Sequence, residues 1–173
     1  MNNIELEKLL DQHLSVNDFR DYAPNGLQVE GRQEIKKVIT GVTACQALLD
    51  AAVAEQADAI LVHHGYFWKN DAPTVRGMRR HRLKTLLIND INLYGYHLPL
   101  DAHPVLGNNA QLARVMKIKP LGMIDPLLPY GEFEQPMSAG EVIGRLERKL
   151  QHAVLHSGDN APQEIRRVAW CTG

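Results

Sequence analysis

The chain has 173 residues, of which 45% are hydrophobic and 23% charged, with a formal net charge of -1. That length and composition suit a globular domain with a sizeable core, and exclude a disordered or fibrous chain. The near-neutral balance gives no bulk electrostatic case for nucleic acid or an anionic membrane as partner, and no apolar stretch approaches the roughly 20 residues of a bilayer span.

In chain order, Asn3 is placed to cap a first helix whose apolar positions Ile4, Leu6, Leu9 and Leu10 fall largely on one face. The N-terminus lacks the basic start and apolar core of a signal peptide, and Cys45 and Cys171 form no disulfide framework, so the cytoplasm is the expected location. Ala23-Pro24-Asn25-Gly26-Leu27-Gln28-Val29-Glu30-Gly31 carries turn chemistry and reads as a surface segment. Lys37 to Gly41 reads as the first central strand. Thr43 to Gln46 resembles a capping box that opens a helix through about Ala54. A strand ending at His63-His64 follows, then a basic helix over about Met78 to Asn89, then a strand ending near His97. Asn108 with Gln111 predicts a helix running to about Met116.

Pro120, Pro126, Pro129 and Pro136 argue against a continuous helix, and the stretch from Lys119 to Pro136 reads as a connecting segment with short strands. Ser138-Ala139-Gly140-Glu141 is a capping box, with Val142, Ile143, Leu146 and Leu150 behind it at helical spacing. Val154 to His156 and Val168 to Cys171 read as strands. The alternation predicts an α/β fold: a three-layer α/β/α lobe with a mainly parallel sheet over 1–125, then a connecting segment and the start of a second lobe over 126–173. The last strand arrives at a loop, whereas a closing βαβ unit would need roughly 30 residues more. A chain ending part-way through its second lobe is therefore the expectation.

Ligands of open α/β sheets collect beyond the carboxyl ends of the strands. Two such ends here carry metal-type side chains: His63-His64 after Ala59-Ile60-Leu61-Val62, and His97 with Asp101 after Ile91-Asn92-Leu93. Consecutive side chains of an ideal strand face opposite ways, so His63 and His64 serve two neighbouring ions or divide between binding and packing. Gly65 supplies the freedom for the strand to break there. Pro99 disfavours a helical conformation at Leu98, so His97 and Asp101 share an ion only if the chain turns at Pro99. Asp101 reads as a metal ligand, and His97 as a ligand or a group hydrogen-bonded to one. The bland reading of the same stretch is a capped loop, with Asp101 or His103 bonding nearby backbone.

Imidazole and carboxylate without thiolate fit divalent zinc, manganese, iron, cobalt or nickel, and affinity order alone does not choose among them. Two ions about 3.5–4 Å apart form a hydrolytic type of centre, in which His97 or His103 would move a proton as the catalytic residues. Arg76, Arg79, Arg80, Arg82 and Lys84 could meet phosphates at a pocket rim, but spread around a helix they read first as a solvated face. Tyr66, Phe67 and Trp68 could stack a base, yet packing of a loop or a subunit contact explains them as well.

The segments 23–31, Val62-His63-His64-Gly65, His97-Leu98-Pro99-Leu100-Asp101-Ala102-His103-Pro104, Gly107-Asn108-Asn109 and 167–173 together resemble the family of GTP cyclohydrolase I type 2 homologues, the Ngg-interacting-factor-three-like dinuclear metal proteins. The match looks close to enterobacterial-type members and extends over essentially the whole chain. The resemblance implies two α/β lobes around a paired metal site and a ring-shaped homohexamer. It places His63, His64 and Asp101 at metal-ligand positions with His97 beside them. The family's further ligands, from a late His-x-x-x-Glu motif, have no counterpart within these residues. Two functions stay open: a metal-dependent hydrolase acting on a nucleotide or related heterocycle or phosphoester, and a non-enzymatic metal-binding ring that delivers ions or scaffolds proteins.

Overall fold

A computed structural model describes residues 1–172, which form two compact units dividing after Leu100. In the first, helix α1 (Asn3–Leu14) leads to strands β1 (Gly26–Val29) and β2 (Val38–Thr43), helix α2 (Gln46–Ala54), β3 (Ala59–His64), α3 (Gly77–Ile88) and β4 (Asn92–Gly95). The sheet order is β1-β4-β3-β2; β2, β3 and β4 are parallel, and β1 runs antiparallel to β4. The mainly parallel α/β sheet agrees with the sequence. The edge strand β1 does not, since the turn-rich 23–31 segment supplies a strand as well as a surface crossing.

Alternation along β3 and β4 assigns the two faces. Ile60, Val62 and Leu93 pack with Leu49 and Ala52 of α2 and Leu86 of α3. Ala59, Tyr94 and Tyr96 pack on the other side, with Leu14, Leu6 and Leu10 of α1. Helices on both faces make the three layers that a buried parallel sheet requires. Burial of both faces is why Ile91 to Pro99 is buried throughout.

At the foot of the sheet Asn92 uses all its hydrogen-bonding capacity. Its Oδ1 accepts from Gly31 N at 3.0 Å and Asn3 Nδ2 at 3.3 Å, and its Nδ2 donates to the carbonyls of Arg32 at 2.8 Å and Asp58 at 3.1 Å. Asn3 is thus a buried helical residue, and the cap of α1 is Asn2, in a reciprocal box with Glu5. The cap of α2 is likewise Cys45, without a side-chain bond, while Thr43 ends β2.

Helix α4 (Leu98–Ala102) follows β4, so the chain turns helically at Pro99. Proline has no N–H to lose in a first helical turn, and this overrides the restriction expected at Leu98. The second unit, beginning at Asp101, contains α5 (Asn108–Met116), β5 (Ile118–Asp125), β6 (Leu128–Met137), α6 (Ala139–Leu150) and β7 (Ile165–Ala169). Its antiparallel sheet has the order β5-β6-β7 and packs Ile118, Phe133 and Met137 against Ala113 and Met116 of α5 and Val142 and Leu146 of α6. Helix α5, which the sequence grouped with the first lobe, shares this core. The box at Ser138 and Glu141 caps α6 as expected, whereas Val154 to His156 has no regular structure.

Candidate metal centre

Strand β3 delivers His63 and His64 at its carboxyl end, and His97 lies two residues beyond β4. Their ligand atoms all lie within 4.8 Å of one another. The ring centroids are 4.4 Å apart for His63 and His64, 5.0 Å for His63 and His97, and 5.8 Å for His64 and His97. Both strand-end histidines therefore join one cluster, their rings inclined at 40° to each other.

Each ring is held through Nδ1. His63 Nδ1 is 3.0 Å from the Tyr96 carbonyl, which can only accept, so Nδ1 carries the proton and Nε2 the lone pair. His64 Nδ1 lies 3.3 Å from Thr43 Oγ1. His97 Nδ1 meets both oxygens of Asp21, at 3.0 and 3.2 Å. An imidazole oriented through one nitrogen by a carbonyl, hydroxyl or carboxylate is the usual arrangement for presenting the other nitrogen to a metal. Three imidazoles without a thiolate suit a borderline divalent ion.

Asp21 is the functional residue the sequence did not reveal. Its side chain is 3% exposed. It accepts from the backbone of Tyr22, Ala23 and Leu98, at 2.7, 3.1 and 3.0 Å, and from Asn25 Nδ2 at 3.0 Å. Burial by itself raises its pKa, but the hydrogen bonds from His97, Asn25, Leu98 and Ala23 outweigh that and hold the carboxyl below its ordinary value. An ionised Asp21 keeps a proton on His97 Nδ1. Asn25 finishes the clamp by accepting the His97 N–H at 2.7 Å. No periodicity marks Asp21; its only signal is the Asp-Tyr-Ala-Pro-Asn sequence beside the matched 23–31 segment.

Trp68 closes one side of the cluster, its ring 5.0 Å from His97 and 6.0 Å from His64, and Tyr22 lies edge-on 5.1 Å from His97. Phe67, the residue before Trp68, has φ 65, a left-handed conformation that is strained for a bulky side chain. Flanking hydrogen bonds hold it there, from Tyr66 N to Gln28 Oε1 at 2.7 Å and from Lys69 N to the Tyr22 carbonyl at 2.8 Å.

Asp101 and His103 belong to the second unit. Asp101 is buried, and its Oδ1 accepts from Asn108 Nδ2 at 2.8 Å. Thr172 Oγ1 lies 3.4 Å from that oxygen and 3.2 Å from Asn109 Oδ1, so its one proton is shared. Asn108 of the Gly-Asn-Asn motif and Thr172 therefore both converge on Asp101. Asn108 serves this carboxylate, while Gly107 is the cap of α5. His103 Nδ1 accepts from the backbone N–H groups of Val105 and Leu106, at 3.2 and 2.9 Å, so the neutral ring carries its proton on Nε2.

An α/β sheet with an imidazole cluster at the carboxyl ends of its strands defines a candidate metal-binding protein. The chain belongs to the Duf34/NIF3 (NGG1p interacting factor 3) family, whose model matches residues 1–173. It is 68% identical to a Yersinia pestis protein called GTP cyclohydrolase 1 type 2 homolog, over all of this chain and 70% of that one. A protein of the same name from Escherichia coli (strain K12) is 57% identical with the same coverage. Among solved structures, the chain resembles one described as protein ybgI, of unknown function, with a TM-score of 0.98 and 57% identity over 100% of this chain and 70% of that one. It also resembles TTHA1606 from Thermus thermophilus, with a TM-score of 0.84 and 35% identity over 96% and 68%. No helix among the described residues is long and apolar enough to cross a membrane.

Proposed function

We propose that this chain binds divalent metal at His63, His64 and His97, and that the centre serves a hydrolase acting on a nucleotide or a related heterocycle or phosphoester. The observation that carries the reading is the three-imidazole cluster, with ligand atoms within 4.8 Å and each ring anchored through Nδ1. Asp101 enters as a further ligand, and a second ion as its companion, on the sequence motif alone. A bound divalent ion supplies Lewis acidity to a carbonyl or phosphoryl oxygen.

The chain's own residues orient and protect. The Tyr96 carbonyl and Thr43 fix the His63 and His64 rings. Asp21 holds a proton on His97 Nδ1, so His97 works through Nε2, either holding an ion or passing a proton. Trp68 and Tyr22 shield that ring from water. The relatives' name points to hydrolysis of a purine ring, and we extend it to this chain as a substrate class only. Self-association into the ring-shaped homohexamer implied by the family resemblance belongs to the same proposal, and sedimentation reads it directly.

The test is elemental mass spectrometry of protein exposed in turn to zinc, manganese, iron, cobalt and nickel, then dialysed. The expected result is stoichiometric metal that is lost in His63→Ala and His64→Ala. Metal retained equally in both variants would mean that the cluster is not the binding site. Tight, exchangeable metal with no turnover on nucleotide and phosphoester panels would replace the hydrolase with a metal-delivery or scaffold role.

A further inference from the structure

Beside the histidine cluster, the first unit has a cavity of about 520 Å³ whose wall includes Trp68, Asp71, Arg76, Arg79 and Arg82. Three guanidiniums face one carboxylate there, so the cavity carries excess positive charge. Asp71 is itself engaged, accepting from Trp68 N at 3.2 Å and lying 3.9 Å from Arg79 Nη2.

Arg79 and Arg82 leave the solvated face that helical spacing predicts, whereas Arg76, Arg80 and Lys84 stay exposed as expected. The Arg79 side chain is 21% exposed; it bonds the Ala72 carbonyl and lies over the Phe67 ring. The Nε atoms of Arg79 and Arg82 are both buried without a hydrogen-bond partner. A buried charged donor left unsatisfied is costly unless something supplies an acceptor. Position adds to this. Arg76 is the N-cap residue of α3, without a side-chain cap bond, and the first turn of the helix holds no acidic residue. Arginine at the positive end of a helix opposes the macrodipole, whereas an anion there would be favoured by both the dipole and the guanidiniums. Tyr66 lines the same wall, its hydroxyl donating to the Ala44 carbonyl at 2.8 Å.

Trp68 connects this cavity to the cluster, since the ring that lines it also touches His64 and His97. We propose that the arginine cavity is the subsite for a phosphate group of the compound on which the histidine site acts, with Trp68 as the wall shared between them. Planar guanidinium forks match phosphate oxygens in pairs, and the indole gives the attached organic group an aromatic surface. The inference deepens the hydrolase reading and rests on it for the word substrate, whereas the anion site rests on the cavity alone.

The experiment titrates the whole chain with inorganic phosphate, metal chelated, by calorimetry and phosphorus NMR line broadening. Wild type is expected to bind, His63→Ala to bind equally, and Arg82→Met to lose about tenfold in affinity, the effect of removing one charge-assisted contact. Arg82→Lys keeps the charge and loses the fork, and is expected to fall between. Arg76→Met, at an exposed rim position, guards against misfolding of the Arg82 variants and is expected to weaken binding several-fold with an unchanged circular dichroism spectrum. Phosphate binding without metal uptake would overturn the metal reading and leave this one standing. Metal uptake with no phosphate binding by wild type, or with phosphate binding indifferent to Arg82 and Arg76, would overturn this one alone.

Discussion

Replacing Asp21 by asparagine exchanges one carboxylate oxygen for an amino group, and every hydrogen-bonding neighbour of that carboxylate is a donor. Oδ1 receives the N–H groups of Tyr22 and Ala23, and Oδ2 receives Leu98 N–H and Asn25 Nδ2, with His97 Nδ1 near both. Whichever way the new amide turns, its NH2 confronts donors. Asn25 cannot turn to help, because its own oxygen holds the His97 N–H. Two unsatisfied buried donors at about 1–2 kcal/mol each make Asp21→Asn less stable by about 2–4 kcal/mol, despite the nearly identical shape. Freed from its carboxylate, His97 should also bind metal less well, with an expected affinity loss of about 10–100-fold, or about 1.4–2.7 kcal/mol. Urea denaturation of the metal-free protein measures the first effect, and competition with a chromophoric chelator for cobalt or zinc the second. An Asp21→Asn protein with wild-type urea midpoint and wild-type metal affinity would refute the reasoning on both counts.

Two further substitutions probe the frame. Asp58 accepts the backbone N–H groups of Lys36 and Lys37, each at 2.9 Å, and pairs with Arg32 at 2.9 Å. Burial raises its pKa, but these partners prevail and lower it below the ordinary 3.8. Its stabilisation is therefore complete above that value and fades as pH falls through the depressed one. Asp58→Ala should lose about 2–3 kcal/mol near neutral pH and progressively less in acid, in denaturant midpoints taken from pH 7 down to pH 2; a pH-independent difference would count against the ionised role. Ser138→Ala removes the cap oxygen that receives Glu141 N–H at 3.3 Å, and should lower stability by about 1 kcal/mol, read as a shift in thermal midpoint.

What the sequence disclosed depended on how local the cause was. The capping box at Ser138, the β2–α2–β3–α3–β4 alternation and the strand-end histidines all follow from neighbours in sequence or from simple period. The misses have long-range causes. Strand β1 is four residues long and owes its existence to β4, more than sixty positions away, as in the pairing of Leu27 with Tyr94. The prolines that argued for a connecting segment lie instead in a hairpin. Pro129 is near the start of β6, and Pro136 falls where β6–β7 pairing is interrupted between Glu132 and Met137, so the missing N–H groups do little harm. Asp21 reaches His97 across 76 positions, a distance at which no local pattern can point. The basic helix was legible as a helix, with Arg76, Arg80 and Lys84 exposed as expected, but Arg79 and Arg82 turn inward to line a cavity that only the folded chain creates.

Asn92 acquires a wider meaning from the register of the sheet. Its pairing with Ala59 begins a ladder that continues through Ile60 with Leu93, Leu61 with Tyr94 and Val62 with Gly95. One more step along the ladder brings His63 level with Tyr96, whose carbonyl orients the imidazole through Nδ1. A slip of one residue would turn every side chain of β4 to the opposite face and take that carbonyl away. An amide with four fixed partners at the foot of the sheet tolerates no such slip. The histidine cluster is aimed from the opposite end of the strands, by a residue that never comes near it.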